Sequence, residues 1–347
     1  MRSFSLIAAA AALSVSAYTA PVLPAPEPDE PPELTAEAWI LYDADADVVL
    51  ASKNATEERP MASVTKIMTA LVVADNAELD EKVRISEKAA NVGESEIGLY
   101  AGERWIVKDL LAGLLIRSGN DAAMALAEHV GGSEEGFADM MNAKAEELGL
   151  EHSHFVNPHG LDDPEHYTSA ADLVTMAEAA LERPYLSRLA RTRLVSFTPS
   201  PNGVARRAQT TNRLLGVYPG VVGLKTGYTG RAGLVLVSVL EQGDRTLIAV
   251  VMGSEGHFDD TRELLDYGAR TLTIHDRLLA ELVPQEGGGG ALPSGITLTE
   301  EELAQLEVVT NVPDGTWAVN TLETTDLGYR IRDWMRSVAP VTLGGTG

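Results

Sequence analysis

Apolar positions in the first half of the chain follow first a strand pattern and then a helical one. The runs 39–42 and 48–50 flank an acidic segment at 43–47, which predicts a β-hairpin. From Ser63 onward, apolar residues recur at helical spacing, which predicts a helix that begins at this serine. The same spacing predicts further helices, over 109–116, 122–129, 135–148 and 170–181.

The second half of the chain changes to apolar, β-branched runs. Segments 221–228, 233–239 and 246–252 have this character, and a tight turn at 242–244 joins the last two. Runs that are linked by hairpins indicate an antiparallel sheet. A helix predicted from 261 to 267 would pack on that sheet, so the pattern predicts a helical region followed by sheet strands.

Both ends of the chain differ from this central region, which we place at 37–276. Arg2, an apolar run and Val15-Ser16-Ala17 have the pattern of a signal peptide over residues 1–17, with an uncleaved anchor as the alternative. Residues 18–36 read as a Pro- and acid-rich leader. A glycine run separates off 277–347 as a small β-rich C-terminal region and tail. We therefore expect an exported protein in the periplasm, on the outer face of the cytoplasmic membrane, or in the cell wall.

Charge and composition narrow the range of partners. The chain has a formal net charge of −24, which disfavours nucleic acid and anionic membranes as electrostatic partners. It contains no cysteine, so disulfides, thiolate nucleophiles and zinc–thiolate sites are excluded. The segment 329–338 is only weakly amphipathic, so membrane contact has weak support.

Three short strings carry the candidate chemistry: Ser63-Val64-Thr65-Lys66, Ser118-Gly119-Asn120 and Lys225-Thr226-Gly227. Each alone has an ordinary explanation, respectively a helix cap with a surface lysine, a turn, and a lysine on a sheet edge. In this order they match the S-x-x-K, S-x-N and K-T-G motifs of serine acyl-transfer enzymes that open penicillin-like amides.

The residue types in the first two motifs suit nucleophilic catalysis. Ser63 and Lys66 lie three apart on one helix face, so an uncharged lysine could take the serine proton. Burial and the cation Lys225 would lower the pKa of Lys66 and favour that uncharged form. We expect Ser118 to relay a proton to the leaving amine, and Asn120 to hold Lys66 and a substrate carbonyl.

The third motif would supply a binding edge. Gly227 lets a substrate backbone approach the strand closely and align beside it as an extra strand. Lys225 and Thr226 offer a cation and a hydroxyl to a terminal carboxylate. The backbone N–H groups of Ser63 and Tyr228 are the predicted oxyanion donors.

Longer segments around these motifs resemble the low-molecular-weight penicillin-binding proteins, the serine-type D-alanyl-D-alanine carboxypeptidases of the peptidase S11 family. The resemblance spans roughly 39–268 and is carried by 59–69, 157–161, 168–173, 211–215 and 223–229. It implies an α/β (α+β) fold of the transpeptidase/β-lactamase type, with a five-stranded antiparallel sheet, a helical cluster and a cleft between them.

The same resemblance implies a function. The implied protein is a serine D,D-carboxypeptidase, which removes the terminal D-alanine from peptidoglycan stem peptides through an acyl-enzyme on Ser63. Thr226, Gly227, Tyr228 and Thr229 would bind the substrate, and β-lactams would be covalent inhibitors. No cofactor or metal is required.

Other functions stay open on the sequence alone. A D,D-endopeptidase that cuts peptidoglycan cross-links would use the same residues. A class A β-lactamase adds a glutamate on a loop after the second motif, and 151–157 lacks its Glu-x-x-x-Asn pattern. A non-catalytic envelope scaffold would not need the intact serines and lysines. The cluster His152, His154, His159 and His166 lacks the H-E-x-x-H spacing of a zinc site, so we expect no metal there.

One position departs from the family pattern. Before the last helix the family usually has an Arg-Phe pair, whereas this chain has His257-Phe258. That arginine is thought to help fix the terminal carboxylate of the substrate. The resemblance therefore makes His257 a candidate substrate-binding residue, with Arg262 as an alternative.

We expect His257→Arg to lower KM for D-Ala-D-Ala peptides with a smaller effect on kcat, because a guanidinium binds carboxylate in a bidentate way that imidazole cannot. A histidine that must be charged to bind would also make the wild type favour mildly acidic pH. Steady-state kinetics across pH provide the measurement. An unchanged KM and pH profile would show that His257 does not bind substrate.

Overall fold

The fold was obtained as a computed structural model, which describes residues 30–197, 206–243 and 245–282. The predicted signal peptide, most of the leader and the C-terminal region from 283 onward lie outside these residues. The boundary expected at 17 lies outside these residues, and those expected at 36 and 276 also stay predictions.

Nine β-strands lie in the described residues. In chain order they are β1 (Ala38–Asp43), β2 (Val48–Lys53), β3 (Lys82–Arg84), β4 (Arg104–Ile106), β5 (Leu194–Ser196), β6 (Arg207–Gln209), β7 (Val221–Thr229), β8 (Gly233–Gln242) and β9 (Arg245–Ser254). Five of them form one antiparallel sheet in the order β2-β1-β9-β8-β7. The other four form two small ribbons, β3 with β4 and β5 with β6. The predicted hairpin and antiparallel sheet are confirmed, and β7 lies at an edge of the large sheet.

Seven α-helices lie in the same residues. They are α1 (Lys66–Asn76), α2 (Val107–Ala112), α3 (Asn120–Gly131), α4 (Glu134–Leu148), α5 (Ala170–Leu181), α6 (Pro184–Ala190) and α7 (His257–Leu282). Local sequence sets several of their ends. The Ser133 hydroxyl accepts a hydrogen bond from the Gly136 N–H at the start of α4, and Gly149 ends that helix with a left-handed φ of 70°.

Both faces of the large sheet are covered. Because side chains alternate along a strand, Ile40 faces a core shared with the helical cluster, and the next residue, Leu41, faces the other side. There it packs in a second core with Leu264 and Leu265 of α7. The strands are apolar on both faces for this reason, and the helical cluster lies on the opposite side of the sheet from α7.

Two helical predictions were wrong at their ends. The helix expected from Ser63 begins at Lys66, and Ser63 lies in a preceding 3-10 turn over Ala62–Thr65. The helix expected over 109–116 is α2 followed by a π-helical turn, Gly113–Arg117. Apolar periodicity cannot separate these helix types over a single turn, because their repeats differ by less than one residue.

The last helix is longer than its apolar pattern predicted. It begins at His257, where Asp259 and Asp260 in its first turn complement the helix dipole. It continues through the expected domain boundary to Leu282. Among the described residues, no helix combines the length and apolar character needed to cross a membrane.

Candidate active site

Ser63, the predicted nucleophile, lies in a tight turn that depends on a glycine from another segment. Ala62 has a left-handed φ of 50°, and the Thr65 hydroxyl donates to its carbonyl oxygen at 2.8 Å. Gly160, with φ of 88°, lies directly against this carbonyl, and a Cβ there would overlap the Ala62 oxygen. The position of Ser63 is therefore fixed by backbone packing.

Lys66 is completely buried beside Ser63. Its Nζ donates to Asn120 Oδ1 at 2.8 Å and to the His159 carbonyl oxygen at 2.6 Å, and it is hydrogen-bonded to Ser63 Oγ at 2.8 Å. Burial, and next the charge of Lys225, hold the pKa of Lys66 well below its usual range. This environment favours the uncharged amine that a general base requires.

The second motif presents its side chains through an unusual backbone. Ser118 ends the π-helical turn with a left-handed φ of 68°, and Asn120 begins α3. The Asn120 N–H donates to the Ser95 carbonyl at 2.6 Å, and its Nδ2 donates to the Gly93 carbonyl at 3.1 Å. The amide is thus held by the 93–98 loop while its Oδ1 faces Lys66.

A buried carboxylate organises that loop. Asp121 is 1% exposed and accepts hydrogen bonds from the backbone N–H groups of Ile97, Gly98 and Leu99, at distances of 2.9–3.1 Å. The residue that follows the second motif therefore fixes the loop that holds Asn120. Sequence reasoning did not single out Asp121.

The third motif brings the edge strand to the nucleophile. Lys225 is 1% exposed, and its Nζ donates to Ser118 Oγ at 2.8 Å and to the Thr226 carbonyl at 2.7 Å. Burial lowers the pKa of Lys225 to about 7. A Cβ on Gly227 would lie 3.1 Å from the Ser63 backbone nitrogen, so the strand passes very close to the nucleophile turn.

The backbone direction of β7 supports Tyr228 as an oxyanion donor. Because the Thr226 carbonyl receives Lys225 Nζ, we take this carbonyl to point away from β8, toward the cleft. Residues two apart in a strand direct their N–H and C=O groups to the same side. The Tyr228 N–H is therefore expected on the side where the Ser63 N–H lies.

The two ends of the cleft have different side chains. At the Lys225 end, the hydroxyls of Thr226 and Thr211 are hydrogen-bonded at 2.6 Å. At the other end, Thr229 donates to Asp162 at 2.7 Å, which ties β7 to the 157–163 loop of the helical cluster. Hydrogen bonds join Ser63 and Asn120 to Lys66, and Ser118 to Lys225. The short second motif, which contains both Ser118 and Asn120, brings these two groups of predicted residues together beside β7.

His257 is joined less directly to this site. It is half-buried as the first residue of α7, with its ring centroid 3.9 Å from that of Phe258. Burial and then the charge of Arg213 lower its pKa, which favours the neutral imidazole. Arg262 is exposed and bonded to Asp259 at 2.8 Å. A role of His257 in binding substrate stays a prediction.

Two of the four clustered histidines, His166 and His154, bond to different partners. His166 is buried: its Nδ1 accepts from the Val156 N–H at 3.0 Å, and its Nε2 donates to the Thr65 hydroxyl at 2.8 Å. His154 Nδ1 contacts the Glu165 carbonyl. Over the residues that the structure describes, no group of three or more His, Cys, Asp or Glu side chains could hold a metal ion.

Sequence reasoning missed the backbone acceptors of the site. The carbonyls of Gly93, Ser95 and His159 fix Asn120 and Lys66, yet a carbonyl leaves no mark in the sequence. Arg213 was also missed. Its guanidinium lies 5.7 Å over the Phe258 ring, is exposed, and has no hydrogen bond or ion pair among the described residues.

Solved structures have the same fold. The Streptomyces K15 DD-transpeptidase matches with a TM-score of 0.66 and 29% identity, over 70% of this chain and 100% of its own. The D-alanyl-D-alanine carboxypeptidase DacD from Francisella tularensis matches with a TM-score of 0.66 and 29% identity, over 72% of this chain and 73% of its own. The fold is therefore that of DD-transpeptidases and D-alanyl-D-alanine carboxypeptidases.

Sequence relatives define the family. The family model for D-alanyl-D-alanine carboxypeptidases of peptidase family S11 matches residues 25–256, so the chain belongs to this family. D-alanyl-D-alanine carboxypeptidase DacF of Bacillus subtilis is 41% identical over 63% of this chain and 57% of its own length. DacD of Escherichia coli is 36% identical over 70% of this chain and 66% of its own length. The matches thus span less than two thirds of these relatives.

We expect Gly160→Ala to destabilise the protein by about 3 kcal/mol and to abolish acylation of Ser63, because the new Cβ displaces the Ala62 carbonyl and adds backbone strain. Gly149→Ala is the matched control. Its φ of 70° gives similar strain, but no atom lies within 4 Å of the added Cβ. Denaturant unfolding and penicillin labelling measure both effects. Equal losses in the two variants would contradict a steric role for Gly160.

His166 should make the protein sensitive to acid. Burial lowers its pKa to about 3, so between that pH and the unfolded value near 6.5 the unfolded state binds more protons. The contribution of neutral His166 to stability is therefore fully present above about pH 6.5 and is lost as the pH falls toward 3. From pH 7 to 5 the wild type should lose about 2 kcal/mol more than His166→Gln. Denaturant titrations at several pH values test this. If the free energy of unfolding depends on pH equally in both proteins, His166 is not the source of the acid sensitivity.

Proposed function

We propose that this protein is a serine D,D-carboxypeptidase that releases the terminal D-alanine from peptidoglycan stem peptides. One observation carries the proposal: Lys66 Nζ is buried and hydrogen-bonded to Ser63 Oγ at 2.8 Å. A buried amine with a depressed pKa, beside a serine hydroxyl, is a nucleophile–base pair. The predicted signal peptide supports action outside the cytoplasm, where such peptides are found.

In the acylation step, Ser63 Oγ attacks the carbonyl carbon between the two D-alanines while Lys66 accepts the serine proton. The oxyanion is stabilised by the N–H groups of Ser63 and Tyr228. When the carbon–nitrogen bond breaks, the proton held by Lys66 passes to the leaving amine through Ser118, which is hydrogen-bonded to Lys225. The products are free D-alanine and an ester on Ser63.

Deacylation reverses the proton transfers. A water molecule attacks the ester carbonyl and gives one proton to Lys66, and Ser63 recovers its hydroxyl proton as the ester bond breaks. β-Lactams would form the same ester, since their strained amide presents a similar carbonyl to Ser63. All these steps use side chains and backbone groups of the chain itself.

We infer that the substrate carboxylate lies at the Thr226 end of the cleft. Thr226 is bonded to Thr211, and Arg213 lies two residues farther along the chain with no acidic partner among the described residues. An arginine without a carboxylate partner in the protein could bind the substrate carboxylate there in a bidentate way. This cation would offset the neutral His257.

An endopeptidase that cuts cross-links would use the same residues, and its substrate differs in the group on the far side of the scissile bond. A class A β-lactamase has less support. Glu151 is exposed and has no hydrogen bond to a catalytic group in the described part of the chain. The proposed function therefore favours peptide substrates over rapid β-lactam hydrolysis.

The proposal is tested by incubating the full-length protein with purified muropeptides and identifying the products by mass. Release of D-alanine from pentapeptides supports a carboxypeptidase, whereas cleavage of cross-linked dimers without that release supports an endopeptidase. Ser63→Ala should form no product and no penicillin adduct. An adduct on any other serine would overturn the assignment.

We expect Lys66→Arg to slow penicillin acylation by about 10²–10⁴-fold, because an arginine stays charged and cannot accept the serine proton. The exposed lysine of β3, Lys82, provides a control in Lys82→Arg, which should acylate normally. Labelling rates would be followed across pH. The wild-type rate should fall with decreasing pH as Lys66 becomes protonated. Rapid labelling of Lys66→Arg at pH 7 would show that another group is the base.

We expect Arg213→Ala to raise KM for D-Ala-D-Ala peptides about fivefold, with a smaller change in kcat, since an exposed ion pair contributes up to about 1 kcal/mol. Peptides with a C-terminal amide should show no such effect. Arg262→Ala removes the same charge from nearby α7 and should leave KM unchanged. A similar change with both variants would indicate only a general electrostatic effect.

A further inference from the structure

Glu94 occupies a position that is fixed by a catalytic residue. Its two neighbours along the chain, Gly93 and Ser95, both accept hydrogen bonds through their carbonyls from Asn120, at 3.1 and 2.6 Å. Asn120 in turn accepts from Lys66 Nζ. The backbone of Glu94 is therefore clamped on both sides to the second motif, at the rim of the cleft.

The backbone of Glu94 is strained. Its φ is 62°, in the left-handed region that non-glycine residues seldom adopt. Its side chain is exposed and has no hydrogen bond or ion pair among the described residues. No internal contact of the carboxylate therefore explains why a glutamate is held in this conformation.

The carboxylate is close enough to act on charges in the site. Burial and then Lys225 lower the pKa of Lys66, and the negative charge of Glu94 opposes this shift. Glu94 has the same opposing effect on His159, whose pKa is lowered mainly by burial. Both effects agree with the position of Glu94 beside Asn120, which is bonded to Lys66.

These neighbours place Glu94 at one end of the cleft. Lys225 and Thr226 define the end that would hold the substrate carboxylate. The opposite end is formed by Thr229 and Asp162, and the loop of Asp162 also contains His159. The neighbours of Glu94 are bonded to Asn120, which is bonded to Lys66, whereas Lys225 is bonded to Ser118. Glu94 therefore lies on the Asn120 side of the cleft, away from the carboxylate end, where the acyl part of a peptide would leave Ser63.

We propose that Glu94 forms a subsite for a cationic side chain on the residue that precedes the D-Ala-D-Ala pair. A primary amine on that residue would pair with the exposed carboxylate across the rim of the cleft. This inference rests on the proposed carboxypeptidase function and adds to it a preference for peptides with a free side-chain amine.

The test compares Nα-acetyl-L-Lys-D-Ala-D-Ala with its Nα,Nε-diacetyl form, which lacks the side-chain charge. The wild type should prefer the charged peptide about fivefold in kcat/KM at low salt, the size of one exposed ion pair. The preference should fade near 1 M salt, where screening acts within a few ångströms. Glu94→Gln should show no preference between the two peptides.

Glu87→Gln is the matched control, because Glu87 is exposed in the segment that leads to this loop and loses the same charge. It should keep the wild-type preference. A wild type without preference, or a Glu94→Gln protein that keeps it, would overturn the proposal. Binding constants measured on Ser63→Ala with and without Glu94→Gln should show the same ratio. That binding readout decides on Glu94 even if neither peptide is hydrolysed.

Glu94→Gly offers a second, independent readout. Glycine tolerates the left-handed backbone, so this variant should raise the unfolding midpoint by about 2–4 °C while it abolishes the preference for the charged peptide. A higher unfolding midpoint together with a lost preference would show that the glutamate binds the substrate at a cost in stability. An unchanged preference would count against the subsite.

Discussion

The burial of two lysine side chains within one cleft is the constraint on which the site depends. Lys66 and Lys225 are almost entirely removed from solvent, and their hydrogen-bond partners are hydroxyl, amide and carbonyl oxygens without net charge. A buried cation without a bonded carboxylate is costly, so both groups are shifted toward the neutral amine. The cost in stability is thus directly coupled to the reactivity of Ser63.

This constraint explains why the two halves of the fold approach so closely. Lys66 belongs to the helical cluster and Lys225 to the edge strand of the sheet, and each lysine needs oxygen atoms supplied by other segments. Close approach leaves no room for side chains at two points. Gly160 lies under the nucleophile turn and Gly227 lies beside it, and an added Cβ at either position would crowd the backbone of 61–63. Since the site is held by backbone contacts, its geometry is set by the packing of the two layers.

The sequence predicted the elements of the fold better than the details of the site. The hairpin, the sheet strands and the helices α3, α4 and α5 follow from apolar spacing, because that spacing reflects which face is buried. The side chains of the three motifs could be found because few residue types perform this chemistry. The backbone acceptors, such as the His159 carbonyl, could not be found, since every residue has one. The left-handed conformations of Ser118 and Glu94 are set by tertiary hydrogen bonds and have no local signal in these residue types.

The cleft has charged groups of both signs, whereas the chain as a whole is strongly acidic. A net charge of −24 creates a field that repels anionic substrates at a distance. At physiological ionic strength this field is screened within about 8 Å, so recognition depends on groups that contact the substrate. Arg213 can attract a carboxylate at one end, and Glu94 can attract an amine at the other. A peptide with a terminal carboxylate and a cationic side chain matches both ends, whereas a reversed peptide would meet like charges at each. If both proposals hold, the two charges set the direction in which the scissile bond is presented to Ser63.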